Sequence, residues 1–127
     1  MNIRVTHEQG RVPVTVFYLQ GQINMGSVGQ LEQMARAEYD QGMRNLLIEL
    51  SEASSLTSAG LRTLLGLYRL LGEPSPSGGG IQLKSAHLKL LNVPPNLQHV
   101  IQVSGFDLFI DLYSDLPTAL ASFDAQN

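Results

Sequence analysis

Six residues, Asn45–Leu50, set the tightest limit on what this 127-residue chain can fold into. Their order, Asn-Leu-Leu-Ile-Glu-Leu, puts a short apolar run between polar neighbours. A run this short suits a strand, and its apolar side chains point both ways, so both faces need cover. A central parallel strand flanked by helices meets that need. The chain beyond it supplies the clearest helix, Ala59–Leu71. There Leu61, Leu64, Leu65, Tyr68 and Leu71 recur at helical spacing, and Arg62, Gly66, Arg69 and Glu73 form the wetter stripe. Leu67 and Leu70 widen the apolar side beyond a narrow seam.

The rest of the chain repeats the alternation. Ile3–His7 and Val12–Leu19 are rich in β-branched and aromatic residues and read as strands. Gly10 lies in a hairpin loop between them, and Pro13 implies an edge position or a late start to pairing. Gly21 then punctuates the pattern. Ser27–Gly42 has helical period in Val28, Leu31, Ala35 and Tyr39, with Ser27 as N-cap and Gln30 completing a capping box. Gly72–Gly80 stops the second helix and reads as a flexible loop. Ile81–Leu83 and His87–Val93 are strand-like, and Pro94-Pro95 ends pairing. A short helix over Asn96–Ser104 ends at Gly105, Leu108–Tyr113 is a last strand, and Ser114 or Asp115 caps a final helix. After the opening hairpin each strand is followed by a helix, which calls for a mostly parallel sheet with right-handed crossovers.

Composition removes several classes of function. Net charge is -3, from 8 Lys+Arg against 11 Asp+Glu, and no segment gathers basic residues. A nucleic-acid binder needs a cationic patch, so direct nucleic-acid binding is not expected. Without cysteine there is no disulfide, thiol catalysis or thiolate metal site. No signal peptide and no membrane-length apolar run are visible, so a cytoplasmic protein without membrane insertion is expected.

Catalytic and cofactor motifs are equally scarce. There is no G-x-G-x-x-G, P-loop or H-E-x-x-H, and the glycines at 78–80 stand before a strand without a following Lys-Ser/Thr. His7, His87 and His99 are scattered, so no metal site is expected. Glu49 and Glu52 read as a rim and a loop carboxylate. The carboxylate set of a receiver domain is missing at these strand ends. Neither an enzyme nor a cofactor is expected.

One segment keeps two readings open. Ser54-Ser55-Leu56-Thr57-Ser58-Ala59-Gly60-Leu61-Arg62 joins the buried strand to the clearest helix. Its hydroxyl residues can simply cap free N–H groups, worth about 1 kcal/mol. Alternatively, Ser58 is phosphorylated. A helix N-terminus tolerates phosphate, whereas a partner packed over it would meet two negative charges.

These residues resemble the sulfate-transporter/anti-sigma-factor-antagonist (STAS) domain, in its stand-alone bacterial form. The family signature is an apolar strand, a short loop, and Asp-Ser-Ser-Gly-Leu or Ser-Ser-Ala-Gly-Leu entering a helix. Here N-L-L-I-E-L leads to Leu56-Thr57-Ser58-Ala59-Gly60-Leu61-Arg62. Gly21-Gln22-Ile23-Asn24 is similar to the family's Gly-Glu-Leu-Asp, and Val103–Phe109 to its Ser/Thr-Gly-Leu stretch. The resemblance covers essentially the whole chain. It implies an α/β STAS-like fold: a mixed central sheet of four to five strands with helices mainly on one face. A single domain over 1–127 is expected, with a long flexible connection at 72–86 that carries Ile81–Leu83 as an extra strand or as loop.

The resemblance further implies an anti-sigma factor antagonist that binds an anti-sigma factor when Ser58 is unphosphorylated and is released on phosphorylation. The implied partners are an anti-sigma factor/serine kinase of the histidine-kinase-like ATPase type and a PP2C-type phosphatase. The implied contact surface is Gln22, Asn24, Ser55, Thr57, Ser58, Ala59, Gly60, Arg62, Gly66 and Arg69. Thr57 stands where many members have Asp, Gln22 where they have Glu, and Asn24 where they have Asp. These departures remove negative charge and leave a second reading: a constitutive interaction subunit of a lipid-transport complex or signalling scaffold.

Overall fold

A computed structural model describes residues 1–72 and 84–124. In it the run at 45–50 opens the middle strand of a five-stranded sheet, ordered β1-β2-β3-β4-β5. The strands are β1 (Asn2–Gln9), β2 (Pro13–Ile23), β3 (Leu46–Leu56), β4 (Leu88–Leu91) and β5 (Leu112–Tyr113). β1 pairs antiparallel with β2, and every other pairing is parallel. The helices are α1 (Val28–Asp40), α2 (Ser58–Leu70), α3 (Pro95–Ser104) and α4 (Leu116–Ala121). A mixed sheet with helices mainly on one face is therefore present. The expected strand at Ile81–Leu83 and most of the connection at 72–86 lie outside the described residues.

Leu46, Leu47, Ile48 and Leu50 are fully buried, and alternation splits them between two cores. Leu46, Ile48 and Leu50 face α1, α2 and α3, packing with Leu31, Ala35, Leu64, Leu97 and Ile101. Leu47 faces the other way, toward Val14, Val16 and Leu91, under Ala119 and Phe123 of the α4 region. α4 is short and covers only part of that rear face. Its end is fixed by Lys89, 5% exposed, whose Nζ donates to Ser122 O at 2.9 Å and Ser122 Oγ at 3.0 Å. A cation suits the carbonyl end of a helix, and the Phe123 ring 4.8 Å away adds cation–π attraction.

Several local expectations are corrected. β2 does not stop at Gly21: that residue takes φ +103° at a register shift, and pairing continues to Ile23↔Leu56. β3 likewise runs six residues past Leu50. Pro13 is the first residue of an internal strand, so late pairing and not an edge explains it. The last strand is only Leu112–Tyr113. Gly105, at φ +79°, ends α3, and a 3-10 turn over Phe106–Leu108 follows. Phe106 in that turn and Ile110 after it both pack into the core. Glu49 is not a rim group. It is 7% exposed and accepts from Ser51 N, Ser51 Oγ and Asn92 Nδ2, each at 2.9 Å.

At the opposite end of the sheet, His87 Nδ1 lies 3.0 Å from Asn45 Oδ1. Burial pushes the His87 pKa down from 6.5, the Lys89 charge adds to this, and a hydrogen bond to the Arg44 backbone opposes it. The folded pKa is below the unfolded one. The associated stability is therefore whole above the unfolded value and is lost as pH falls through the folded value. Urea midpoints should drop between about pH 7 and pH 5, and His87→Gln should flatten that drop. Equal slopes for the two proteins would refute the assignment.

Candidate functional site

The strand ends build the site. β2 and β3 run side by side to Ile23↔Leu56, and the chain leaves β3 through Thr57 with ψ 175°. Thr57 N donates to Ile23 O at 3.0 Å, and Thr57 Oγ1 donates to the same oxygen at 3.3 Å. The same hydroxyl accepts from Gly60 N at 3.4 Å, while Thr57 O accepts from Leu61 N at 2.9 Å. Thr57 is thus the N-cap of α2 and also the link between β2 and that helix. This separates the two readings of the hydroxyl residues. Capping falls to Thr57. Ser58, the first residue of α2, is exposed, and its Oγ has no hydrogen-bond partner among the described residues.

The turn after β2 lies against this one and is held by a buried serine. Ser27 Oγ donates to Gln22 O at 2.7 Å and accepts from Asn24 N at 3.0 Å. Ser27 does stand at the N-cap position of α1, yet its side chain makes no cap bond and the expected box with Gln30 does not form. The carbonyl of Gln22 has claimed its hydroxyl. Asn24 Oδ1 accepts from Gly26 N at 2.9 Å, and Asn24 Nδ2 donates to Gln22 Oε1 at 3.0 Å. This ordering projects Met25, 79% exposed, from the turn. Sequence reasoning passed over Met25. Its one signal is an apolar residue out of phase with both the strand before it and the helix after it.

Of the expected contact residues, Gln22, Thr57, Ser58, Arg62, Gly66 and Arg69 are exposed, and Asn24, Ser55 and Ala59 are half-buried. Gly60 is buried and belongs to the packing. Arg62, Thr63, Gly66, Leu67 and Leu70 of α2 face Glu32 and Arg36 of α1 across a groove of about 210 Å³. Arg36 Nε lies 3.5 Å from Glu32 Oε1. The floor of the groove is apolar and its rim carries two guanidinium groups with one carboxylate. A third element reaches the site: Asn96 Nδ2, at the start of α3, donates to Ser54 O at 3.0 Å. No cluster of three or more metal-ligating side chains occurs among the described residues.

Two glycines of α2 should respond oppositely to alanine. A Cβ on Gly60 would lie 2.6 Å from Leu56 Cδ1 and 2.9 Å from both Ile23 Cγ2 and Ile23 O. The last of these is backbone and cannot rotate away. Overpacking of about 1–3 kcal/mol therefore outweighs the roughly 1 kcal/mol that alanine gains in a helix. A Cβ on Gly66 meets nothing within 4 Å. Gly60→Ala should lower the urea midpoint, and Gly66→Ala should raise stability by about 0.5–1 kcal/mol. A neutral or stabilising Gly60→Ala would refute the close-approach argument.

Known proteins share this fold. A sequence profile of the STAS domain matches residues 4–75, more than half of the chain. BtrV of Bordetella bronchiseptica, which carries an anti-sigma factor antagonist name, is 28% identical over 105 residues, covering 83% of this chain and 82% of that protein. The crystal structure of an anti-sigma factor antagonist from Mycobacterium paratuberculosis is 26% identical, with a TM-score of 0.73 over 96% of this chain and 94% of that one. The Bacillus cell fate determinant SpoIIAA in its phosphorylated form shares the fold at 20% identity, with a TM-score of 0.65 over 94% and 96% of the two chains. No helix among the described residues is long and apolar enough to cross a membrane. With the strand–turn–helix at Leu46–Leu70 and a profile match running through it, the chain belongs to the STAS domain family.

Proposed function

We propose that this chain is an anti-sigma factor antagonist, working by binding and release of a protein partner and not by catalysis. The observation that carries the reading is the division of labour between Thr57 and Ser58. Thr57 holds the turn together, and Ser58 presents a free hydroxyl in the first turn of α2. A phosphate there adds a charge of about -1.5 to -2. The helix N-terminus accommodates that charge, so the domain keeps its fold. A partner seated on Met25, Asn24 and the exposed face of α2 meets an uncompensated dianion instead and is released.

In this reading the partner is an anti-sigma factor that is also a serine kinase of the histidine-kinase-like ATPase type. A PP2C-type phosphatase restores the unmodified serine, and all three act in the cytoplasm. Gln22, Asn24 and Thr57 are uncharged. Neutral residues at these positions suit a kinase surface less basic than one that meets carboxylates. The half-buried Ser55 and Ala59 frame the turn, and Arg62, Gly66 and Arg69 extend the contact along α2. The reading requires no cofactor or metal.

Incubation with the cognate kinase and ATP should add one phosphate, and Ser58→Ala should abolish it. Incorporation that persists in Ser58→Ala would sink the switch. Unmodified protein should bind the kinase at least about tenfold more tightly than Ser58→Asp, a difference of about 1.4 kcal/mol. Equal affinity would favour a constitutive subunit. Met25→Ala should weaken the complex by about 1–2 kcal/mol without changing thermal stability, because the side chain is exposed in the free domain. Calorimetric titration with the purified kinase checks both values.

A further inference from the structure

The two edges of the sheet differ. β5 offers two residues, whereas β1 pairs with β2 over its whole length, from Asn2↔Gln20 to Gln9↔Pro13, without a register break. Among the described residues its far side therefore presents a regular row of unpaired backbone groups. Natural edge strands are usually blunted by proline, lysine or a bulge, and β1 has none of these.

The charges on β1 fit a second copy of the same strand. Side chains stay on their proper faces only when antiparallel partners share parity, so a two-fold axis normal to the sheet must pass through a residue. An axis at Thr6 sets Arg4 opposite Glu8 of the second copy, twice, with Val5 opposite His7 and Ile3 opposite Gln9. An axis at Arg4 brings like charges together, and axes at Val5 or His7 leave both charges without an opposite. Arg4 and Glu8 have no ion-pair partner among the described residues. Arg4 already lies flat on the rear face, 4.0 Å above the Tyr18 ring, beside the row that Glu8 shares. On this axis Thr6 stands opposite its own symmetry mate, and Thr–Thr is a favourable cross-strand pair.

We propose that β1 is a homodimer interface, joining two copies about a two-fold axis at Thr6 into one continuous ten-stranded sheet. The inference does not depend on the phosphorylation reading. The two Ser58 turns lie at opposite ends of the joined sheet, because the strands of the copies run antiparallel. Their β3 strands stand five strand spacings apart, roughly 24 Å. Both turns remain open to a partner, so one dimer can engage two. An eight-residue edge is smaller than the surface a permanent dimer buries, which makes the association reversible and concentration-dependent.

Sedimentation velocity on the full chain, from micromolar to millimolar concentration, tests the proposal. A monomer–dimer equilibrium is expected that weakens with salt. Arg4→Glu and Glu8→Arg should each weaken association by at least about tenfold, since each sets like charges opposite one another twice. The combined Arg4→Glu, Glu8→Arg protein should recover it. Glu8→Arg leaves the Arg4–Tyr18 stack intact, and circular dichroism on each variant separates lost pairing from lost fold. A chain that stays monomeric throughout, a dimer indifferent to both reversals, or a charge swap that fails to recover association would each overturn the interface.

Discussion

The close approach of α2 to the end of β2 governs the geometry of this domain. A helix can start directly above the Ile23 carbonyl only where its third residue has no side chain, and Gly60 meets that condition. Once α2 is there, Ile23 O receives both the N–H and the hydroxyl of Thr57. One oxygen then fixes the end of β2, the exit of β3 and the cap of α2. Ser58 follows with no structural duty. A modifiable hydroxyl is available because its neighbour has taken the cap.

This arrangement explains how a charge can be added without refolding. The turn is held from below by backbone and threonine contacts that do not involve Ser58 Oγ. It is held from the side by the Ser27 hydroxyl, which ties Gln22 and Asn24 together. Neither set of bonds is broken by a phosphate on Ser58. The change is confined to the electrostatics of the surface, where a partner must desolvate whatever it covers. On the proposed reading, a rigid turn with a free hydroxyl would pass the effect of modification to a partner and not to the core.

Much of this was legible in the sequence, and the misses have physical causes. The run at 45–50 and the leucine stripe at 59–71 announce themselves because burial on two faces and on one stripe leave different periods. Strand ends were harder. Gly21 reads as a stop, yet a glycine at positive φ also lets a bulged strand continue, and only the pairing with β3 decides between them. Ser27 has the identity of a cap, but the Gln22 carbonyl, five residues back, competes for its hydroxyl. Ser58 and Thr57 are both good cap residues by composition. The choice of Thr57 rests on the position of Ile23 O, a tertiary fact. Met25 left almost no trace, since a single apolar residue in a turn looks like noise until its exposure is known.

Glu49 shows how far the site's support extends. A carboxylate 7% exposed in the central strand must be fully hydrogen-bonded, and three donors meet it. Two come from Ser51 on its own strand. The third is Asn92, the one non-glycine residue at positive φ among the described residues, at φ 55°. Asparagine tolerates that conformation better than most, and a bond to a buried anion adds to the preference. The turn it makes sends the chain through Val93 and Pro94 into α3, whose Asn96 reaches Ser54 O beside the Thr57–Ser58 turn. Glu49 lies on the rear face and touches nothing at the site. Even so, through Asn92 it sets where α3 begins, and so where one wall of the proposed partner surface stands. Removing the carboxylate leaves Asn92 Nδ2 and Ser51 N without this acceptor. The loss therefore falls on the β4–α3 turn as well as on the sheet, which is why a rear-face acid belongs in any account of the front-face site.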